Sequence, residues 1–356
     1  MTTIAQVPAG GRQSPVPVDP SAPAKPNPES ILNALSAHER TAALTAALEL
    51  DLFTTIGTGA ATATEVAERI RAAERGVRIL ADYLVVDGFL TKTDGRYGLA
   101  PEAAAFLDRR SPAYLGSIAQ FLCTPRFLRR FDRLAETVRR GGAAPDATDG
   151  PLAPGDPMWV EFARGMAPLQ AMVAELTAQA VGSVTRALDM AAGHGLFGIA
   201  VARANPAARI VALDWENVLA VARENAAAAG VAARVDFLPG SAFEVELGTG
   251  YDLVLITNFL HHFDRPTCVD LLRRVRAALA PGGRAAIVEF VPDEGRISPP
   301  IPAAFSLKML ATTPSGEAYT YAEHDGMCRE AGFASTELRA LGPAPQSLVL
   351  ARMTGG

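Results

Sequence analysis

An α/β protein with a doubly wound, mostly parallel sheet in its C-terminal half is predicted by three features of the sequence. From residue 185 onward, apolar runs suited to buried strands recur at 187–191, 209–214, 234–239, 251–258 and 283–291. Helical stretches separate them at 196–204, 216–229 and 266–280, which is the rhythm of repeated βαβ units. The first run ends in a glycine loop, Asp189-Met190-Ala191-Ala192-Gly193-His194-Gly195, and the second ends on a carboxylate, Asp214. Ligands of such sheets bind at the carboxyl ends of the strands.

The chain has 356 residues, room for about two domains of ordinary size. Its net charge of −5 argues against a nucleic-acid partner, because phosphate backbones reward concentrated positive charge. Cys123, Cys268 and Cys328 are far apart and lack the spacing of zinc ligands. Neither a disulfide framework nor a metal site is therefore expected, and the setting reads as reducing and cytoplasmic. No apolar run approaches the roughly 20 residues that span a bilayer, so no membrane partner is expected. Residues 1–28, rich in proline and small side chains, read as disordered.

Residues 29–140 read as a helical domain. Ile31, Leu35, Ala42, Ala43, Leu44, Ala47 and Leu48 recur at helical spacing up to Asp51. Thr64 is placed to cap a short helix carrying Val66, Ala67 and Ile70, and a second helix carries Val77, Leu80, Leu84 and Val85 up to Gly88. Two short strands, 89–92 and 96–100, then flank the Asp94-Gly95 turn. Helix, helix and hairpin make a winged-helix pattern. Arg75 and Arg78 on its second helix are offset by Glu74 and Asp82, so dimerisation is favoured over DNA binding. Residues 101–140 read as further helix. The stretch 141–157 is a linker by composition, and a helix that Pro168 kinks or divides opens the segment 158–356.

Two glycines one residue apart, Gly193 and Gly195, let the backbone turn sharply and approach a ligand. Asp214 is placed to accept hydrogen bonds from both hydroxyls of a ribose. Gly198 completes the G-x-G-x-x-G spacing of dinucleotide-binding loops, but Asp189 before the loop would repel a pyrophosphate. A carboxylate there suits a cationic sulfonium or an ammonium.

The stretch from Asp189 to Asp214 resembles motif I and the following acidic position of class I SAM-dependent methyltransferases. Leu260-His261-His262-Phe263, 280–284, Ile287-Val288-Glu289 and Ser315-Gly316-Glu317 are similar to successive segments of the small-molecule O-methyltransferase family, which includes caffeate and hydroxyindole enzymes. The likeness spans about residues 30–352. It implies a Rossmann-like, seven-stranded sheet behind a winged-helix dimerisation domain, a homodimer, SAM as methyl donor and S-adenosylhomocysteine as product. Carried over by position, Asp189, Gly193 and Gly195 surround the methionine part of SAM, Asp214 holds its ribose, and Trp215 and Phe243 border its adenine. His261 is then the general base, with Glu289 and Glu317 orienting it. Phe162 and Met166 lie on the helix that lines the substrate pocket. The chain departs from the pattern at Ser241, where a carboxylate usually reads the adenine amino group and where the hydroxyl offers one acceptor instead. It departs also at Thr257, at Asn258, assigned to the substrate pocket, and at His262.

The chemistry agrees independently. Methyl transfer to a phenol of pKa ~10 is helped by a base, and histidine titrates near working pH. Glu289 ends an apolar strand, where an unpaired carboxylate would be costly, so a partner such as His261 is expected. His194 reads as a neighbour of SAM; His38 and His324 read as structural or surface residues. Phe305 and Met309 are expected either in the core or lining the substrate pocket. Methylation of carbon or nitrogen, and a winged-helix regulator that only senses SAM, are the competing functions.

Overall fold

The computed structural model describes residues 26–57, 59–144 and 155–353. Two compact units divide the chain, residues 1–42 and 43–356. The expected disordered segment 1–28 lies outside the described residues save for its last three, and the linker likewise at 145–154.

Helix α1 (Glu29–Glu49) supplies the described part of the first unit, where Ile31, Leu32 and Leu35 are exposed. The second unit continues through α2 (Leu52–Ile56), α3 (Ala63–Ile70), α4 (Glu74–Val86), β1 (Leu90–Thr93) and β2 (Arg96–Leu99). Leu52, Phe53, Val66, Val77, Leu84 and Tyr97 form their common core. Asp94 and Gly95 join the antiparallel hairpin with φ of 50° and 76°, the left-handed pair that a tight hairpin turn needs. Thr62, not the expected Thr64, caps α3. Its hydroxyl accepts from Glu65 N–H while the Glu65 carboxylate accepts from Thr62 N–H. The T-x-x-E spacing satisfies two terminal donors at once, which Thr64, already inside the first turn, cannot do.

The expected helix over 101–140 is broken into short pieces. These are α5 (Pro101–Phe106), a 3₁₀ turn (Gly116–Ile118), α6 (Ala119–Leu122), α7 (Pro125–Asp132) and α8 (Leu134–Arg140). Proline opens α5 and α7, and Thr124 caps α7, so the local signals restart the helix rather than extend it. Helix α9 (Pro157–Val181), by contrast, runs unbroken through Pro168. Its buried residues lie on both sides of the proline, from Ala163 and Gly165 to Thr177 and Val181, so packing favours one continuous helix over two.

Beyond α9 lie β3 (Arg186–Met190), α10 (Leu196–Ala204), β4 (Arg209–Asp214), α11 (Glu216–Ala228), β5 (Val235–Pro239), β6 (Tyr251–Thr257), α12 (Arg265–Ala278), β7 (Leu279–Glu289), α13 (Pro300–Thr312), α14 (Tyr321–Glu330), β8 (Ser335–Ala340) and β9 (Ser347–Arg352). The seven strands β3–β9 form one sheet in the order β5-β4-β3-β6-β7-β9-β8. All neighbours are parallel except β9, which runs against β7 and β8. Period-two alternation fills both faces. Leu188, Val254, Ile256 and Ile287 pack on one side, and Ala187, Leu253, Leu255 and Val288 on the other. Residues 280–284, one of the segments that resemble the family, lie within the span of β7. Gly282 there takes a φ of 74°, and the pairing register shifts between Tyr251 and Leu253. The order of the strands reverses between β3 and β6, and their carboxyl ends open a crevice there.

Gly198 lets α10 lie close to the sheet. A Cβ there would stand 2.8 Å from Ile210 Cγ2 and 2.9 Å from Asp189 Oδ2. Gly198→Ala is therefore expected to destabilise by about 1–3 kcal/mol, although glycine to alanine inside a helix ordinarily stabilises. Gly76 on α4 is exposed with nothing near its missing Cβ, so Gly76→Ala should stabilise by about 0.4–1 kcal/mol. Denaturant unfolding of the two variants checks the opposite signs. No helix among the described residues is long and apolar enough to cross a membrane.

Candidate active site

Two cavities meet above the carboxyl ends of the central strands. The smaller, about 270 Å³, is lined by Ala191, Gly193 and His194 after β3, Asp214 at the end of β4 and Trp215 after it, and Ser241 and Phe243 after β5. The larger, about 690 Å³, is lined by Phe162 and Met166 of α9, Phe305 and Met309 of α13, and His261. Trp159, Phe162, Gln170, Asn258 and His262 border both. The five residues predicted to line a substrate pocket, Phe162, Met166, Asn258, Phe305 and Met309, thus all line the larger cavity.

The walls of the smaller cavity are built by backbone geometry. Gly193 turns with a φ of 56°, and its N–H donates to Asp214 Oδ2 at 2.8 Å, while Trp215 N–H donates to Asp214 Oδ1 at 2.7 Å. The carboxylate keeps further lone pairs for a ligand. Burial pushes the Asp214 carboxyl up to about 6, against the pull of those two N–H groups. His194 Nδ1 accepts from Leu196 N–H at 3.2 Å, and burial lowers its ring to about 4, which keeps it neutral. The Ser241 hydroxyl accepts from Phe243 N–H at 3.2 Å. A carboxylate, a glycine-lined wall and two aromatic faces suit a nucleoside with a short polar tail. That donor set fits SAM.

Asp189 and Gly195 stand behind this wall and line neither cavity. Asp189 is fully buried; its Oδ2 accepts from Gly198 N–H at 2.8 Å and its Oδ1 has no partner. Burial, with the nearby Asp214 charge, raises it to about 7. Gly195 takes a φ of 74°, and a Cβ there would stand 2.9 Å from Ala222 Cβ. Both residues shape the loop from beneath.

After β6 the chain turns at Asn258, whose φ of 51° is left-handed and whose Oδ1 is buried without a partner. Strain of this kind collects at functional positions. The turn feeds a short 3₁₀ segment, Leu260–His262. Glu289, at the end of β7, caps it: Oε1 accepts from the N–H groups of Phe259 and Leu260 at 2.9 Å and of His261 at 3.4 Å. Oε2 lies 2.6 Å from His261 Nδ1. Burial acts to raise the Glu289 carboxyl, but the charge and hydrogen bond of His261, with His324 and Phe259 N–H, outweigh it and hold the group below the usual range. This leaves Nε2 as the His261 ring nitrogen without a partner among the described residues, on a ring that lines the larger cavity. His262, 4.4 Å away ring to ring, has no carboxylate partner among the described residues; burial and then the His261 charge push it well below the ordinary histidine value.

The structure does not bring Glu317 to His261. The 315–317 segment passes close, since a Cβ at Gly316 would clash with the His261 carbonyl oxygen. The Glu317 carboxylate points instead to Arg296, whose Nη1 donates at 3.2 Å near the surface. Arg296 is a cation the sequence reading did not set against it. Trp159, Gln170 and Lys308, which also line the cavities, were not singled out in the sequence, where they look like ordinary helix residues.

Residues 155–334, just over half of the chain, match the model of the O-methyltransferase domain, and residues 32–109 match that of the O-methyltransferase dimerisation domain. The chain belongs to the O-methyltransferase family. It is 32% identical over 82% of its length, and 86% of the relative's, to a 3-hydroxy-5-methyl-1-naphthoate 3-O-methyltransferase of Streptomyces sahachiroi. It is 28% identical over 91% of its length, and 96% of the relative's, to the tetracenomycin polyketide synthesis 8-O-methyl transferase TcmO of Streptomyces glaucescens. A crystal structure of a candidate O-methyltransferase from Nostoc punctiforme is 46% identical, covers 92% of this chain and 100% of its own, and superposes with a TM-score of 0.89. The chain is thus a SAM-dependent methyltransferase with the fold of this family.

Proposed function

We propose that this methyltransferase methylates a hydroxyl of a small aromatic secondary metabolite, with His261 as general base and Glu289 as its positioning partner. The reading rests on the 2.6 Å contact between His261 Nδ1 and a buried carboxylate, on a ring that lines the larger cavity next to His262, which borders both. It is supported by the two Streptomyces relatives, both O-methyltransferases by name, one of a hydroxynaphthoate and the other of tetracenomycin polyketide synthesis. Bound SAM supplies an electrophilic methyl group. Gly193, Asp214, Trp215, Ser241 and Phe243 hold it in the smaller cavity, while Asp189 and Gly195 brace the loop. Phe162, Met166, Asn258, Phe305 and Met309 orient the acceptor in the larger cavity, whose volume suits a small organic molecule. His261 Nε2 takes the hydroxyl proton as the oxygen becomes nucleophilic, and Glu289 steadies the imidazolium that results. The largely apolar walls of both cavities limit the water around the transfer.

In the same reading, residues 29–140 form a dimerisation and substrate-lining domain, residues 141–157 a linker and residues 158–356 the SAM-binding domain. The dimerisation-domain match and the exposed apolar side chains of Ile31, Leu32 and Leu35 support a homodimer. A monomer mass in analytical ultracentrifugation would overturn it.

Titration calorimetry with SAM and S-adenosylhomocysteine tests the cofactor site. Asp214→Ala removes two charge-assisted acceptors and is expected to weaken both by about 100-fold or more. Unchanged affinity would mean that the nucleoside binds elsewhere. Release of S-adenosylhomocysteine with a panel of phenols, amines and keto acids tests the acceptor; methylation confined to carbon or nitrogen would refute the hydroxyl.

A further inference from the structure

The larger cavity carries a charge that methyl transfer does not use. Lys308 of α13 lines it together with Phe305 and Met309. Its Nζ lies 5.2 Å from the centroid of the Phe305 ring, and that ring lies 4.9 Å from the ring of His261. The ammonium and the imidazole thus both lie against one phenyl group, and the two legs limit their separation to at most 10.1 Å. Phe290 stacks on Phe305 at 4.1 Å with 17° between planes, so the partition is a rigid aromatic shelf.

Among the described residues no carboxylate lies within ion-pair distance of Lys308. Burial alone acts on its ammonium and lowers it. The neighbouring Arg126, by contrast, is engaged by Asp156 through hydrogen bonds of 3.0 and 2.7 Å. Of the charged side chains that line the cavity, Arg126, Arg130 and Lys308 are basic and Glu161 is acidic. A half-buried ammonium without a counter-charge is a cost to the folded protein, and an anionic ligand in the same cavity removes that cost through a charge-assisted hydrogen bond.

We propose that Lys308 is a specificity residue that selects acceptors bearing a carboxylate, held beyond the Phe305 shelf from the hydroxyl at His261. The inference rests on the methyl-transfer reading above, which places that hydroxyl. The cavity of about 690 Å³, and a separation of the two groups of no more than 10.1 Å, leave room for a hydroxylated aromatic acid of one or two fused rings.

A hydroxynaphthoate and its methyl ester are the test pair, because they differ only in the charge that Lys308 would read. Titrated into wild type in the presence of S-adenosylhomocysteine, the acid should bind at least tenfold tighter than the ester. Lys308→Met should abolish that preference and leave the ester affinity within about threefold of wild type. Lys308→Arg should keep most of the preference, which a merely structural role would not require. Equal affinities in wild type, no binding of the acid, or an acid preference that survives Lys308→Met would each overturn the proposal. Turnover of the same pair separates this from the parent reading. A charge preference in binding with no methylation of either hydroxyl supports the anion site and sinks the hydroxyl chemistry; equal turnover and equal binding do the reverse.

Discussion

Replacing His261 by alanine is expected to lower kcat by about 10²–10⁴-fold on an ordinary phenol, while the affinity for SAM stays unchanged. The ring is buried, its Nδ1 is fixed by Glu289, and it lines the larger cavity and not the smaller one, so its loss should leave the nucleoside contacts in place. The size of the loss should depend on the acceptor. A phenol of pKa ~10 carries its proton at neutral pH and needs a base, whereas a nitrophenol that is already ionised does not. Steady-state kinetics of His261→Ala on the two compounds should therefore show a large defect on the first and a small one on the second. An equal defect on both would make His261 a positioning residue. His262→Phe provides the contrast: that ring has no carboxylate and is held neutral by burial, so its replacement should change KM more than kcat.

The residues at this site differ in how far the sequence announced them, and the reasons are physical. Asp214 and Glu289 were legible because each closes an apolar run, and a carboxylate ending a buried strand has to be satisfied locally. His261 followed, since it lies just past the end of the strand beside Glu289. Glu317 sits in a loop between two helices, where sequence position does not determine which partner it meets, and Arg296 competes for it in space. Lys308 gave no signal, because a lysine on a helix reads as a solvated face until the fold lays a cavity against it. The fold shows the same division. The parallel core strands are continuous apolar runs and were readable. β8 was not read as a strand: it is an edge strand, largely exposed, with Glu337 and Arg339 paired along it. Asp189 stands near the end of a strand, as its place in the sequence implies, but one residue of register decides whether a side chain faces the crevice or the core. Here it faces the core and holds the first turn of α10 through Gly198.

Glu289 should separate stability from catalysis through the choice of replacement. Glu289→Ala leaves three backbone N–H groups and the His261 ring without their acceptor in a buried site. Removing one partner from a buried charged network ordinarily costs about 3–5 kcal/mol, so this variant should unfold at much lower denaturant or fail to fold. Glu289→Gln keeps the volume and one carbonyl oxygen, which can continue to accept from Phe259 and Leu260. Its amide NH₂ group then faces Nδ1, and the ring must present a lone pair there and carry its proton on Nε2. In that tautomer His261 cannot receive the proton of the acceptor hydroxyl. Turnover should fall by about 10³–10⁴-fold in a protein that remains folded and binds SAM. The acid limb of stability should change as well. Because Glu289 is held below its ordinary value of 4.5 in the folded state, it contributes stability that is present above that pH and is lost as pH falls through the depressed value. Glu289→Gln, having no charge to lose, should unfold with a flatter dependence on acid than wild type. Circular dichroism melts across pH, run beside the kinetics, decide the point. Wild-type turnover in Glu289→Gln would show that the carboxylate does not set the His261 tautomer, and an equally steep acid limb would show that other buried groups carry the acid sensitivity.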